Sequence, residues 1–213
     1  MTKKFLITDI DWTIYRTDER AYRSALDIGL TVTREQAERL DPKNPEFIGL
    51  NFDRYYDVFD SPEYARTDQP IEYAVAALRE LRKYLGIAYV STRPEGSNRK
   101  MRQATLDCFK RDGFPVPGED SDVFMLLRPP SIEGKRGRKM KKPMVYCLTC
   151  LFDVVAGVGD MPGDSDAYLE NTVPALIIKN GLGLKDEEYP KGTIFLPNWK
   201  QVEIYLKSQI LRL

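Results

Sequence analysis

Six short apolar runs constrain the fold of this chain more than any other feature. They occupy residues 5–8, 87–90, 123–127, 154–158, 175–178 and 193–196. Runs this short suit buried strands better than buried helices. Between them lie stretches with apolar residues at helical spacing. The first is 71–84, apolar at 71, 74, 75, 78 and 81, and 98–112, 143–152 and 198–211 follow. Pro70 is placed to open the first of these helices, Pro143 the third, and Asn198 to cap the last. Buried strands alternating with helices predict an α/β fold with a doubly wound parallel sheet. Such sheets bind ligands at the carboxyl ends of their strands. The residues that terminate the runs are therefore the first candidates for function.

The alternation breaks once. Between 15 and 68 the pattern turns helical and charged, then rich in Pro, Asn, Gly and aromatics. Thr33 and Gln36 have capping-box spacing inside it. This predicts a core of 1–14 and 69–213, with a small helical cap, 15–68, inserted after strand one. Its aromatics, Tyr22, Phe47, Phe52, Tyr55, Tyr56, Phe59 and Tyr64, are expected to form the cap's own small core. A lid over a leaving group is the alternative.

Composition removes whole classes of chemistry. The chain has no histidine among 213 residues, which excludes Ser-His-Asp and Cys-His catalysis and His-ligated zinc. Acid–base work must fall to carboxylates, lysine, tyrosine, cysteine or a metal-bound water. Lys+Arg and Asp+Glu both number 32, so net charge steers neither a polyanion nor an anionic membrane surface to the chain. No apolar run approaches the ~20 residues of a membrane span, and the basic-then-apolar start stops at Asp9 too soon for a signal peptide. Three cysteines make no disulfide framework, so a reducing cytoplasmic setting is expected. Cys147 and Cys150 form a single Cys-x-x-Cys inside a predicted helix. They are expected to be small buried side chains, not a zinc or redox pair.

Four polar elements sit where the predicted strands end or helices begin. Asp9 and Asp11 follow the first run; two carboxylates so close call for a compensating cation, and Mg²⁺ suits oxygen ligands. Ser91-Thr92-Arg93 follows the second, where a hydroxyl and backbone N–H groups can hold an anion. Lys135, Arg136, Arg138, Lys139, Lys141 and Lys142 make a basic loop; Lys142, just before Pro143, is the one expected near the strand ends. After the fourth run, Gly159-Asp160-Met161-Pro162-Gly163-Asp164 brings carboxylates four apart that can complete the metal site.

In this order the four elements resemble the haloacid dehalogenase-like (HAD) phosphohydrolase superfamily. Asp9-Ile10-Asp11-Trp12-Thr13, Ser91, Lys142 and the Gly159–Asp164 stretch look like its four motifs, over 3 to about 180 without the insertion. The resemblance implies a Rossmann-like core and phosphatase chemistry. Asp9 would be the nucleophile, forming an aspartyl-phosphate, and Asp11 the general acid and base. Ser91 and Lys142 would balance charge on the phosphoryl oxygens, with Thr13, Thr92, Arg93 and Lys141 binding substrate. Mg²⁺ would be held by Asp9, the Asp11 carbonyl and Asp160, with Asp164 orienting a water on the ion. Ser91-Thr92-Arg93-Pro94 before Arg102-Gln103-Ala104-Thr105, and Leu126-Leu127-Arg128-Pro129, look like the polynucleotide 3′-phosphatase and lipin-like branch. The expected substrate is nevertheless a small soluble metabolite such as a nucleotide or sugar phosphate, because the chain carries no net positive charge. A polynucleotide 3′-phosphate gripped by the basic loop is the alternative. A non-catalytic binding module on the same fold is a third reading, disfavoured by the intact acidic and basic set.

Overall fold

All six apolar runs become neighbouring strands of one parallel sheet. In the computed structural model, which describes residues 3–38, 49–95, 100–129, 140–179 and 184–210, these are β1 (Lys4–Thr8), β4 (Gly86–Pro94), β5 (Val123–Arg128), β6 (Asp153–Gly159), β7 (Ala175–Ile178) and β8 (Ile194–Leu196). Their order is β5-β4-β1-β6-β7-β8, which puts β1 in the interior between β4 and β6. Successive residues of each strand point to opposite faces, and both faces are covered. Leu6, Ile87 and Tyr89 pack on one side against α5 (Ala74–Leu81), α6 (Lys100–Asp112) and α9 (Trp199–Ile210). Ile7, Ala88 and Val90 pack on the other against α7 (Lys141–Leu151) and α8 (Pro162–Leu169). This is the doubly wound α/β architecture the apolar runs predict.

The helix ends follow local chemistry. Asn198 caps α9 through Gln201 N (3.1 Å). Thr33 and Gln36 form the reciprocal capping box, Gln36 N donating to Thr33 Oγ1 (3.2 Å) and Thr33 N to Gln36 Oε1 (2.8 Å). Two boundaries differ from expectation. The helical, charged start of the 15–68 stretch is divided into α1 (Asp18–Asp27) and α2 (Arg34–Glu38), with Gly29 at φ +87° just past α1. Only glycine adopts that conformation without strain. Pro70 does not open a helix; it lies in β3 (Gln69–Pro70), paired antiparallel with β2 (Tyr15–Arg16). That two-stranded ribbon brings residues 15–16 beside 69–70.

The insertion carries α1, α2, α3 (Phe52–Phe59) and α4 (Pro62–Ala65). Tyr55 is buried with Ala25 and Ala37, and Tyr22, Phe52, Tyr56 and Phe59 pack around them, so these aromatics form the insertion's own core. Phe47 lies outside the described residues, as do Lys135, Arg136, Arg138 and Lys139 of the basic loop. Ion pairs join the insertion to the sheet side: Arg128 at the end of β5 meets Asp60 (3.2 Å), and Arg66 meets Asp107 (3.0 Å). Among the described residues no helix is long and apolar enough to cross a membrane.

Candidate active site

β1 and β6 run side by side, so the residues just past them, Asp9 and Asp160, are neighbours by register. Asp164 joins them from the first turn of α8, a helix beginning where the sequence suggested only an acidic loop. Its Oδ2 accepts from the backbone N–H groups of Asp160 and Met161 (both 3.1 Å), closing the strand-to-helix turn on itself. The turn is so tight that a Cβ on Gly159 would lie 2.5 Å from Asp164 Cβ, which is why glycine stands there. Carboxylate oxygens of Asp9, Asp160 and Asp164 lie within 4.8 Å of one another, and all three residues are buried.

Among the described residues, one cation faces this cluster. Lys141 Nζ lies 2.7 Å from Asp9 Oδ1 and also pairs with Asp164. Burial opposes its charge, but the Asp164 and Asp9 carboxylates more than offset this and hold its pKa above the usual lysine range. Lys142, expected to fill this position, is exposed and pairs with Glu170 on the outside. Helix α7 starts at Lys141, because Pro143 fits in a first turn whose N–H groups have no intrahelical partner. One residue is about 100° of rotation, so Lys141 turns inward and Lys142 outward. The same rotation overturns the expectation for the cysteine pair. Met144, Val145 and Leu148 face the sheet, leaving Cys147 and Cys150 exposed.

Three carboxylates with one ammonium leave excess negative charge in a buried place. Burial, with repulsion from Asp164 and Asp11 outweighed only in part by Lys141, pushes the Asp9 pKa up to about 7. Burial, Asp164 and Asp9 push Asp160 well above the carboxylate range. Asp160 Oδ1 accepts from Thr13 Oγ1 (3.1 Å), while its Oδ2 is buried with no hydrogen-bond partner among the described residues. An orphaned carboxylate oxygen beside two more carboxylates, with no soft or imidazole donor, fits a hard divalent cation.

Asp11 leaves this cluster. Its side chain keeps 23% exposure and meets Arg93, Nη2 to Oδ1 at 2.6 Å and Nε to both oxygens at 3.1 and 3.2 Å, and Arg20. The same two guanidiniums meet the buried Asp68: Arg93 Nη2 to Oδ2 at 2.5 Å, Arg20 Nε to Oδ1 at 3.2 Å. Burial pushes Asp11 up, but Arg20 and Arg93 outweigh it and hold the carboxyl below the usual range. At Asp68 burial outweighs both arginines and the value rises to about 6. Arg20 stands over the Phe59 ring at 4.2 Å.

These contacts change the expected roles of three residues. Arg93, expected to bind substrate, is buried and engaged by Asp11, Asp68 and Thr105. The Thr13 hydroxyl is engaged by Asp160. Ser91 is buried and accepts from Arg93 N (3.1 Å), within a strand that runs on to Pro94 and does not turn at 91. Thr92 beside it is half-buried. Trp12, between Asp11 and Thr13, takes φ +58°, a conformation costly for a bulky residue. Its N–H donates to Tyr15 O (2.7 Å) and fixes the turn. Sequence reading missed Arg20 and Asp68.

No protein-family model and no curated protein matches the sequence. Solved structures do. A haloacid dehalogenase-like hydrolase from Streptococcus pneumoniae is 13% identical, with 96% of this chain and 98% of that one covered and a TM-score of 0.62. A protein described as a predicted phosphatase from Clostridium acetobutylicum is 16% identical over the whole of both chains, with a TM-score of 0.64. The D,D-heptose 1,7-bisphosphate phosphatase of B. bronchiseptica, solved with magnesium and phosphate, is 14% identical over 97% and 99%, with a TM-score of 0.55. The chain therefore shares the fold of these HAD-like structures.

Proposed function

We propose that this protein is a phosphatase that hydrolyses a phosphomonoester through a phosphorylated Asp9. The observation that carries the reading is the Asp9–Lys141–Asp160–Asp164 cluster at the carboxyl ends of β1 and β6, on the fold of known HAD-like phosphatases. Asp9 Oδ attacks phosphorus, the ester oxygen departs with its electron pair, and an acyl phosphate forms on Asp9. Water then attacks that phosphorus, releasing phosphate and regenerating the carboxylate. Lys141 holds the attacking carboxylate and offsets charge on the transferring group. Mg²⁺ at Asp9, Asp160 and Asp164 would neutralise the remaining negative charge and let a phosphate dianion approach. Asp11 would protonate the departing ester oxygen and then take a proton from the attacking water; both steps require the Arg20 and Arg93 contacts, which hold it ionised and away from the cluster, to loosen.

We assign the substrate to small phosphoesters. The zero net charge supports this, as does the engagement of Arg20, Arg93 and Arg128 with carboxylates of the chain, which leaves them unavailable to a polyanion. The 15–68 stretch, whose Arg20, Asp68 and Asp60 pair with Asp11, Arg93 and Arg128 near the strand ends, would serve as a cap. A screen with a chromogenic aryl phosphate, then nucleotides, sugar phosphates and a 3′-phosphorylated oligonucleotide, tests the reading. Mg²⁺-dependent hydrolysis lost in Asp9→Asn is expected. Preference for the oligonucleotide would move the substrate to nucleic-acid ends, and no hydrolysis of any ester would sink the proposal.

A further inference from the structure

The segment after β7 sends two aromatic side chains back to the site. Tyr189, 8% exposed, donates its hydroxyl hydrogen to the backbone carbonyl of Asp160 (2.8 Å). Trp199, fully buried, donates its indole N–H to the carbonyl of Thr13 (2.6 Å). Thr13 Oγ1 in turn donates to Asp160 Oδ1 (3.1 Å). The loop after β1 and the loop after β6 are thus tied to each other and to this segment. Asp160 is held at both ends, its carbonyl by Tyr189 and one carboxylate oxygen by Thr13. Its Oδ2 is left buried and, among the described residues, unpartnered. The Tyr189 ring is itself fixed edge-on against Phe195, centroids 5.1 Å apart at 89°.

We infer that Tyr189 is a positioning residue for a divalent cation: its hydroxyl fixes the Asp160 backbone so that Oδ2 faces the Asp9–Asp164 oxygens. The inference rests on the metal assignment above. A mobile carboxylate would have to be ordered when the ion binds, whereas one held at both ends is already in place. Outer-shell hydrogen bonds to the ligating groups themselves change metal affinity by roughly 10–100-fold, and a contact to the ligand's backbone is expected at the low end. No element of the β1 or β6 motifs carries this contact; it comes from 29 positions downstream.

Tyr189→Phe removes the hydroxyl and keeps the ring against Phe195. Binding of Mg²⁺, and of Mn²⁺ by paramagnetic resonance, is measured directly on wild type, Tyr189→Phe and Asp160→Asn, together with metal-free melting. The expected result is metal affinity weakened about ten-fold in Tyr189→Phe, abolished in Asp160→Asn, and a metal-free melting temperature close to wild type in Tyr189→Phe. At saturating Mg²⁺ turnover of Tyr189→Phe returns toward wild type. Unchanged metal affinity in Tyr189→Phe, with Asp160→Asn losing it, overturns the inference alone. A drop in metal-free melting with unchanged affinity also overturns it, giving Tyr189 a packing role only. Wild type that binds neither ion overturns both the inference and the metal assignment.

Discussion

Replacing Asp68 by alanine takes one carboxylate from a buried set of two arginines and two aspartates. Arg20 and Arg93 are 0% and 2% exposed, and Asp68 is 1% exposed, so little water can replace the lost partner. Above pH 6 the substitution leaves the two guanidiniums sharing only Asp11, with one uncompensated positive charge. Breaking a buried pair in this way costs about 3–5 kcal/mol. For a chain of this size each kcal/mol moves the melting temperature by about 2–4 °C, so a fall of roughly 6–20 °C is expected. Differential scanning calorimetry at pH 7.5 measures it. The double variant Arg20→Met/Asp68→Ala, measured beside both single variants, leaves Asp11 on Arg93 as a neutral pair and should recover at least half the loss. A fall below about 1 kcal/mol in Asp68→Ala, or purely additive costs in the double variant, would refute the reasoning that pairing, not space filling, holds these groups.

Three further outcomes follow from the same geometry. Lys141→Ala should lower turnover of an aryl phosphate on the order of 100-fold by removing a charge beside the transferring group, whereas Lys142→Ala, outside the site, should stay near wild type; steady-state kinetics of the pair decides. Gly159→Ala should destabilise by about 1–3 kcal/mol through overpacking against Asp164 and weaken Mg²⁺ binding, read by urea unfolding and metal titration. Because the folded Asp9 pKa, about 7, lies above its unfolded 3.8, the metal-free protein holds a proton the unfolded chain has lost, and Asp9 costs stability as pH rises through that window. Mg²⁺ binds the deprotonated carboxylates, so the melting-temperature gain from Mg²⁺ should grow between pH 5 and pH 8; an equal gain at both would contradict the assignment.

The strands were legible because each is a continuous apolar run, and a parallel sheet covered on both faces demands such runs. Asp9, Asp160 and Asp164 were legible for a related reason: charge that abruptly ends a buried strand has to be accommodated at the sheet's carboxyl edge. The lysine was misplaced by one position. Adjacent lysines carry the same chemistry, and which one faces inward depends on where α7 begins relative to Pro143. Arg20 and Asp68 gave no signal. Each is one charge in a charged stretch, and its burial arises only when Arg93 meets Asp11 across 82 positions. Tyr189 and Trp199 were equally silent, since an aromatic residue that packs and one that also donates to a distant carbonyl look alike in sequence. The two exposed cysteines were misjudged by helix phase, which residue type does not encode.

The central claim is that Asp9 carries the phosphoryl group between substrate and water. The most direct measurement is acid quench of the Mg²⁺-loaded protein within its first turnover on an aryl phosphate, followed by peptide mass analysis. One phosphoryl group on the peptide containing Asp9 is expected, labile to hydroxylamine as an acyl phosphate should be and absent in Asp9→Asn. A wild type that hydrolyses the ester with no phosphorylated peptide at any quench time, or with the label on another residue, would contradict the account.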